Sequence, residues 1–176
     1  MNLVEHVALI GLPGAGKSAV MGLLAERLAW GSVDVDRAVE RKAGRSVARI
    51  FAGEGEERFR ALESLALAEA LSETRPLVIA CGGGVLGRAA NRDLLKARAR
   101  VVWLRVDPDE AAARLGPEEL AQRPLLSADR PEKRLRELLD RREDAYAAAA
   151  DIVIVTDDAT PGEIAARLIA LLGPKA

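Results

Sequence analysis

Residues 11 to 18, GLPGAGKS, fit the pattern G-x-x-x-x-G-K-[ST], a backbone cradle for phosphate. Gly11, Gly14 and Gly16 let N–H groups turn inward around phosphate oxygens without Cβ clashes. A helix starting near Lys17 adds its positive dipole end. Lys17 can then reach the β- and γ-phosphates, and the Ser18 hydroxyl can ligate Mg²⁺. A glycine-rich turn that binds nothing could share these letters. Here, however, an apolar β-prone run, His6–Ile10, enters the glycines and a helical pattern, 19–29, leaves them. The chain therefore reads as a binder of a nucleoside triphosphate.

Further along lie groups suited to an acceptor. Asp34 and Asp36 flank Val35 at the end of a second apolar run. Alternate residues of a strand or extended turn share a face, so both carboxylates are expected to point into the cleft over the phosphate loop. One suits the Mg²⁺ sphere through water; the other suits a hydroxyl that it can orient and deprotonate. Arg60 follows Phe59 in a helix beginning near 55–56, and its planar fork matches a carboxylate in a way a lysine does not. Gly82, Gly83 and Gly84 follow a third strand directly, where open α/β sheets bind ligands and where backbone must approach them closely. The stretch 116–131, with Pro117, Pro124, Pro131, Arg123 and Arg130, resists regular structure and has the length of an active-site lid.

Short apolar runs alternating with helical patterns position these groups, the signature of an α/β domain with a parallel sheet. Strands are expected at His6–Ile10, ending near 33–35, at 76–80, at 99–106 and at Ile152–Val155. Helices are expected near 17–29, 37–42, 46–52, 56–73, 88–96, 108–115, 131–149 and 161–172. Asp107-Pro108-Asp109-Glu110 and Thr160-Pro161-Gly162-Glu163 each supply a capping side chain, a first-turn proline and a glutamate three on. The 176 residues suffice for one domain, and 26 basic against 27 acidic side chains leave a formal charge of −1. That balance argues against a nucleic-acid or anionic-membrane surface. Two tryptophans, one tyrosine and two phenylalanines do not make a base-stacking platform. No leader or bilayer-spanning run is visible, so a cytoplasmic location is expected. Cys81, the lone cysteine, reads as a small buried strand residue, and His6, the lone histidine, as structural.

The blocks GLPGAGKS (11–18), DVDRAVERKAGRSVARIF (34–51), GEERFRALE (55–63) and CGGGVL (81–86), followed by RPLL (123–126), together resemble the shikimate kinases over nearly the full chain. The resemblance implies a single three-layer P-loop kinase domain over 1–176, with a five-stranded parallel sheet in the order 2-3-1-4-5. It also implies a shikimate-binding segment near 34–63, a lid near 116–131 and a monomer. Its implied reaction transfers the γ-phosphoryl of Mg-ATP to the 3-hydroxyl of shikimate. By that likeness Asp36 activates the hydroxyl, while Lys17 and Arg123 stabilise the moving charge. Gly14, Ala15, Gly16, Lys17, Ser18 and Ala19 hold the phosphates, and Ser18 with Asp34 (via water) attends to Mg²⁺. Arg60, Arg142 and Gly82 to Gly84 hold the acid, and Phe51 and Phe59 wall its ring. Arg142 sits four residues before Tyr146, as in the family, although Arg141 beside it competes for the assignment. Arg114 and the stretch 156–161 would flank adenine.

Some positions depart from the family pattern. Ala19 stands where relatives commonly carry a threonine, at a cost of roughly 1 kcal/mol or less in ATP binding. Cys81 supplies no aspartate to the metal, and Glu118, Glu119 and Leu120 make an atypical lid. A gluconate kinase of the same fold is the nearest rival, and a nucleotide-binding regulator without catalysis is a second. The GEERFR block and the D-V-D spacing favour the cyclic acid, and intact Lys17, Ser18, Asp36 and Arg123 favour catalysis.

Overall fold

The computed structural model describes residues 5–121, 123, 126 and 130–173. Its strands are β1 (His6–Ile10), β2 (Gly31–Asp34), β3 (Leu77–Ala80), β4 (Ala99–Arg105) and β5 (Ile152–Val155). They form one parallel sheet in the order β2-β3-β1-β4-β5, as expected. The helices are α1 (Lys17–Leu28), α2 (Val35–Ala43), α3 (Val47–Ser72), α4 (Ala89–Arg98), α5 (Pro108–Arg114), α6 (Pro117–Ala121), α7 (Pro131–Ala149) and α8 (Pro161–Leu172).

Alternation along β1 shows why helices must cover both faces. Val7 and Leu9 join one buried cluster with Leu24 of α1 and Leu168 of α8. Ala8 and Ile10 join the other with Leu67 of α3 and Leu95 of α4. Because β1 lies between β3 and β4, its C-terminal end is the point where the strand order reverses, and the loop that leaves it opens into a crevice. No helix among the described residues is long and apolar enough to cross a membrane.

Four local expectations need correction. The second strand stops at Asp34, within the expected 33–35, but α2 begins at Val35, two residues before the helix expected near 37–42. Asp34 drives this: its Oδ1 accepts the Arg37 N–H at 3.2 Å, so a helix cap overrides the β preference of Val35. The helices near 46–52 and 56–73 run together as α3 and are broken only at Gly55, whose φ of 82° no other residue type adopts readily. Within 116–131, residues Pro117–Ala121 form α6, with proline in the first turn beside Glu118 and Glu119 at the positive dipole end. Residues 122, 124, 125 and 127–129 lie outside the described residues. Finally, the capping box closes at Thr160–Glu163, but Asp107 caps α5 alone while Glu110 turns to Arg114 Nε at 3.1 Å.

His6 is fully buried, and its Nδ1 accepts the Leu77 N–H at 3.2 Å, tying β1 to β3. Burial holds its pKa below the ordinary 6.5. The unfolded chain therefore binds a proton near pH 6.5 that the folded protein refuses until lower pH, so stability falls with pH below about 6.5. Denaturant unfolding from pH 7.5 to 5 should show that decline in the native chain and a shallower one in His6→Gln. Parallel curves would remove His6 as the source.

Candidate active site

The C-terminal ends of β1, β2 and β3, with residues from α1, α2, α3, α5, α6 and α7, build one cleft of about 590 Å³. After β1, Gly11 (φ 142°) and Gly14 (φ 82°) pass so close to neighbouring backbone that a Cβ would meet Leu104 O or Ala111 O at 2.4 Å. Gly16, left-handed at φ 86°, starts α1, so α1 aims its N-terminus into the cleft. Gly14, Gly16, Lys17, Ser18 and Ala19 line that end; Ala15 is fully buried beneath the loop instead. Lys17 Nζ donates to Gly11 O at 2.9 Å and Leu12 O at 2.8 Å. Desolvation, and then the nearby Arg123 charge, lower its pKa to about 8.

Ser18 Oγ donates to Asp34 Oδ2 at 2.8 Å, so the capping aspartate of α2 also reaches the phosphate loop. Asp36 lines the cleft as well, but from the first turn of α2 and not by strand alternation. Its Oδ1 is buried without a protein partner among the described residues. Burial, then the charge of Asp34, raise its pKa above the ordinary carboxylate range. Burial likewise pushes the thiol of Cys81, just past β3, far up, leaving it an inert wall.

The other half of the cleft is built on the glycine triplet. A Cβ at Gly82 would lie 2.3 Å from Glu63 Oε1, one at Gly83 2.7 Å from Arg142 Nη1, and one at Gly84 2.6 Å from the Arg60 guanidinium. These glycines are therefore the space that three charged side chains occupy. Arg60 donates to Glu63 Oε2 at 2.9 Å and to Glu56 Oε1 at 3.1 Å, and its guanidinium lies 5.2 Å from the Phe59 ring centroid. Phe59 packs on Phe51 at 4.9 Å between centroids, so the pair serves core and cleft together. Tyr146 OH donates to Gly83 O at 2.6 Å, which fixes the triplet against α7 beside Arg142. Arg142, not Arg141, lines this cleft.

Arg123 reaches the cleft between the two halves, with its Nε buried and unpartnered among the described residues. Arg114 donates to Thr156 O at 2.7 Å and Asp157 O at 2.9 Å, so the two expected walls of a base pocket are bonded together. Glu63 was not assigned in advance, although its spacing three residues after Arg60 was a legible ion-pair signal. Glu40, whose carboxylate accepts the Val47 N–H at 2.9 Å and so joins α2 to α3, carried no such signal. Ser18 and Asp34 offer hard oxygen donors at the mouth of the phosphate loop, which fits Mg²⁺. Among the described residues no group of three His, Cys, Asp or Glu could hold a metal by itself.

A phosphate loop at the switch point of this sheet, facing a half lined by arginines, glycines and a buried carboxylate, defines an ATP-dependent small-molecule kinase of the P-loop fold. The family model described as shikimate kinase matches residues 13–173. The shikimate kinase of Symbiobacterium thermophilum is 44% identical over 164 residues, 93% of this chain and 94% of the relative. That of Thermobifida fusca is 46% identical over 163 residues, 92% and 91% of the two chains. The solved shikimate kinase from Acinetobacter baumannii in complex with shikimate matches with a TM-score of 0.91 at 36% identity, covering 96% of this chain and 93% of that one. The chain belongs to the shikimate kinase family.

In the free protein the Lys17 amine should titrate near pH 8, well below the ordinary 10.5. A pH titration of ¹³C-labelled lysine side chains should show one such resonance, absent in Lys17→Arg. If every lysine titrates at its ordinary value, the desolvation of Lys17 is wrongly described.

Proposed function

We propose that this chain transfers the γ-phosphoryl group of ATP to the 3-hydroxyl of shikimate. The observation that carries the reading is Asp36, a buried carboxylate with an unpartnered oxygen in the same cleft as Lys17 and Arg60. A carboxylate with a raised pKa, lining the cleft between a phosphate loop and an arginine pair, is suited to take a hydroxyl proton. The A. baumannii relative, solved with shikimate, supports the choice of acid.

In this reading Arg60 and Arg142 hold the carboxylate of the acid, the glycine triplet meets its polar atoms, and Phe51 and Phe59 face its ring. Asp36 accepts the proton as the hydroxyl oxygen bonds to the γ-phosphorus and the bond to ADP breaks. Lys17 and Arg123 lie against the phosphoryl oxygens, where charge shifts during transfer. Ser18 and, through water, Asp34 would hold Mg²⁺, which supplies charge neutralisation at the β- and γ-phosphates when bound. Backbone N–H groups from Gly14 to Ala19 cradle the phosphates. Arg114, with Thr156 and Asp157, flanks the adenine.

Purified protein with Mg-ATP should release ADP when shikimate is added and not when gluconate is added. Asp36→Asn should keep ATP binding while kcat falls about 10²- to 10⁴-fold. A response to gluconate alone, or unchanged turnover in Asp36→Asn, would overturn the acceptor or the base respectively. Gly84 has φ −104°, so alanine fits the backbone there, and its Cβ would displace only the flexible end of Arg60. Gly84→Ala should therefore fold, less stably because Arg60 shifts against the buried Glu63, with kcat/KM for shikimate down about 10- to 100-fold. A rise in the KM for ATP of the same size would reject the specific link to Arg60.

A further inference from the structure

Tyr146 carries one atom that the core does not need. Its ring is 1% exposed and packs in the buried cluster that α3 and α4 share with the sheet, with the Trp103 ring centroid 5.6 Å away. A phenylalanine would fill that space as well, whereas a buried hydroxyl costs free energy unless it is bonded. This one is bonded: it donates to Gly83 O at 2.6 Å. Burial raises its pKa above the ordinary 10, so it stays a protonated donor through neutral pH. The corner is crowded. A Cβ at Gly83 would lie 2.7 Å from Arg142 Nη1 and 3.5 Å from the Tyr146 hydroxyl.

What this bond does follows from the planarity of the peptide group. In a trans peptide the C=O and N–H point in opposite directions. Holding Gly83 O against Tyr146 on α7 therefore turns the Gly84 N–H away from Tyr146. Gly83 and Gly84 line both the main cleft and a smaller cavity of about 380 Å³, while Tyr146 lines only the smaller one. The hydroxyl thus stands behind the glycine triplet and not in the cleft. The Gly84 N–H donates to no protein group among the described residues. A peptide between two glycines has no Cβ on either side to oppose a flip, so a bond to its carbonyl is what sets its orientation.

We propose that the Tyr146 hydroxyl is a positioning group for the ligand of the main cleft: by pinning Gly83 O from behind, it presents the Gly84 N–H to the acid without touching the acid itself. The donor is then preorganised, and binding does not have to reorient it. Without the hydroxyl the Gly83–Gly84 peptide also populates flipped states, which offer a carbonyl where the ligand needs a donor. Affinity for the acid falls by the fraction of time spent in them. Presenting that donor to an acid rests on the reading of the cleft as a shikimate site, whereas the pinning of the peptide does not.

Tyr146→Phe keeps the ring and removes only the hydroxyl, so the variant should fold, with a thermal midpoint lowered by no more than about 4 °C. Calorimetric titration should show shikimate bound about three- to ten-fold more weakly, and ATP within about two-fold of native. An equal loss for both ligands would mark a general loosening, and an unchanged shikimate affinity would mean that the hydroxyl positions nothing; either overturns the proposal. The peptide itself can be watched. Glycines are adjacent only at 82–84, so protein labelled with [1-¹³C,¹⁵N]glycine gives HNCO peaks only for the Gly82–Gly83 and Gly83–Gly84 peptides, and Gly84→Ala removes the second. In ligand-free Tyr146→Phe the Gly83 carbonyl carbon should move upfield. Shikimate should shift the Gly84 amide proton downfield in the native chain, and less in the variant. An unmoved carbonyl would show that Tyr146 does not hold this peptide and would overturn the proposal. If the native chain does not bind shikimate, the function assigned to the cleft fails, and the carbonyl shift still decides whether the hydroxyl pins the peptide.

Discussion

The half of the cleft built on the glycine triplet depends on a buried ion pair. Glu63 is fully buried, and its charge is tolerable there because Arg60 donates to it at 2.9 Å. Taking a carboxylate out of water costs several kcal/mol even after relaxation, on the order of what one ion pair returns. The pair is thus a device for placement more than for stability. It fixes the Arg60 guanidinium against Phe59 and over Gly84, and it leaves Glu63 Oε1 against Gly82. Any side chain at those glycines would enter the space of the charged groups. The three glycines, the pair on α3 and the Arg142–Tyr146 turn of α7 are one mutually dependent object, and none can be read as a local feature.

The phosphate-loop half is coupled to it by one aspartate with two duties. Asp34 caps α2 through Oδ1 and accepts the Ser18 hydroxyl through Oδ2. Capping starts α2 at Val35, two residues before the expected 37, and that start carries Asp36 into the first helical turn. Asp36 therefore takes its position from Asp34. Its raised pKa reflects the same closeness, since the charge of Asp34 adds to the effect of burial.

These dependencies explain what could be read in advance. The sheet, its order and the strand-loop-helix at Gly11–Ser18 follow from local spacing and from alternation between two apolar faces, and they were legible. The residues of the cleft were also legible as a set, because the blocks that carry them are contiguous in the chain. The geometry behind Asp36 was not, since V-D-V-D reads equally as strand or as helix cap, and only tertiary placement of β2 against β3 decides. Gly55 was hidden for a related reason: two helical patterns on either side of a glycine look alike whether they are separated or abut. Five residues of helix in 116–131 went unseen because prolines dominated the reading, although Pro117 and two glutamates form a helix start. Arg141 and Arg142 are neighbours in sequence, but helix geometry turns them about 100° apart; the four-residue spacing to Tyr146 picked out Arg142, and that is the one that lines the main cleft.

The unpartnered atoms follow from the same construction. Asp36 Oδ1, Glu63 Oε1 and Arg123 Nε are each buried without a protein partner among the described residues, and Asp36, Glu63 and Arg123 all line the main cleft. Each such group costs about 1–3 kcal/mol if left unsatisfied, so three in one place amount to a large share of a domain's net stability. A core assembled for stability alone would have paired them or replaced them with apolar groups. Their concentration between the phosphate loop and the glycine triplet means the fold holds donors and acceptors ready for atoms that are not its own. A ligand that supplies those atoms gains the hydrogen bonds without reorganising the protein, and it stabilises the folded chain increasingly as its concentration rises above its Kd.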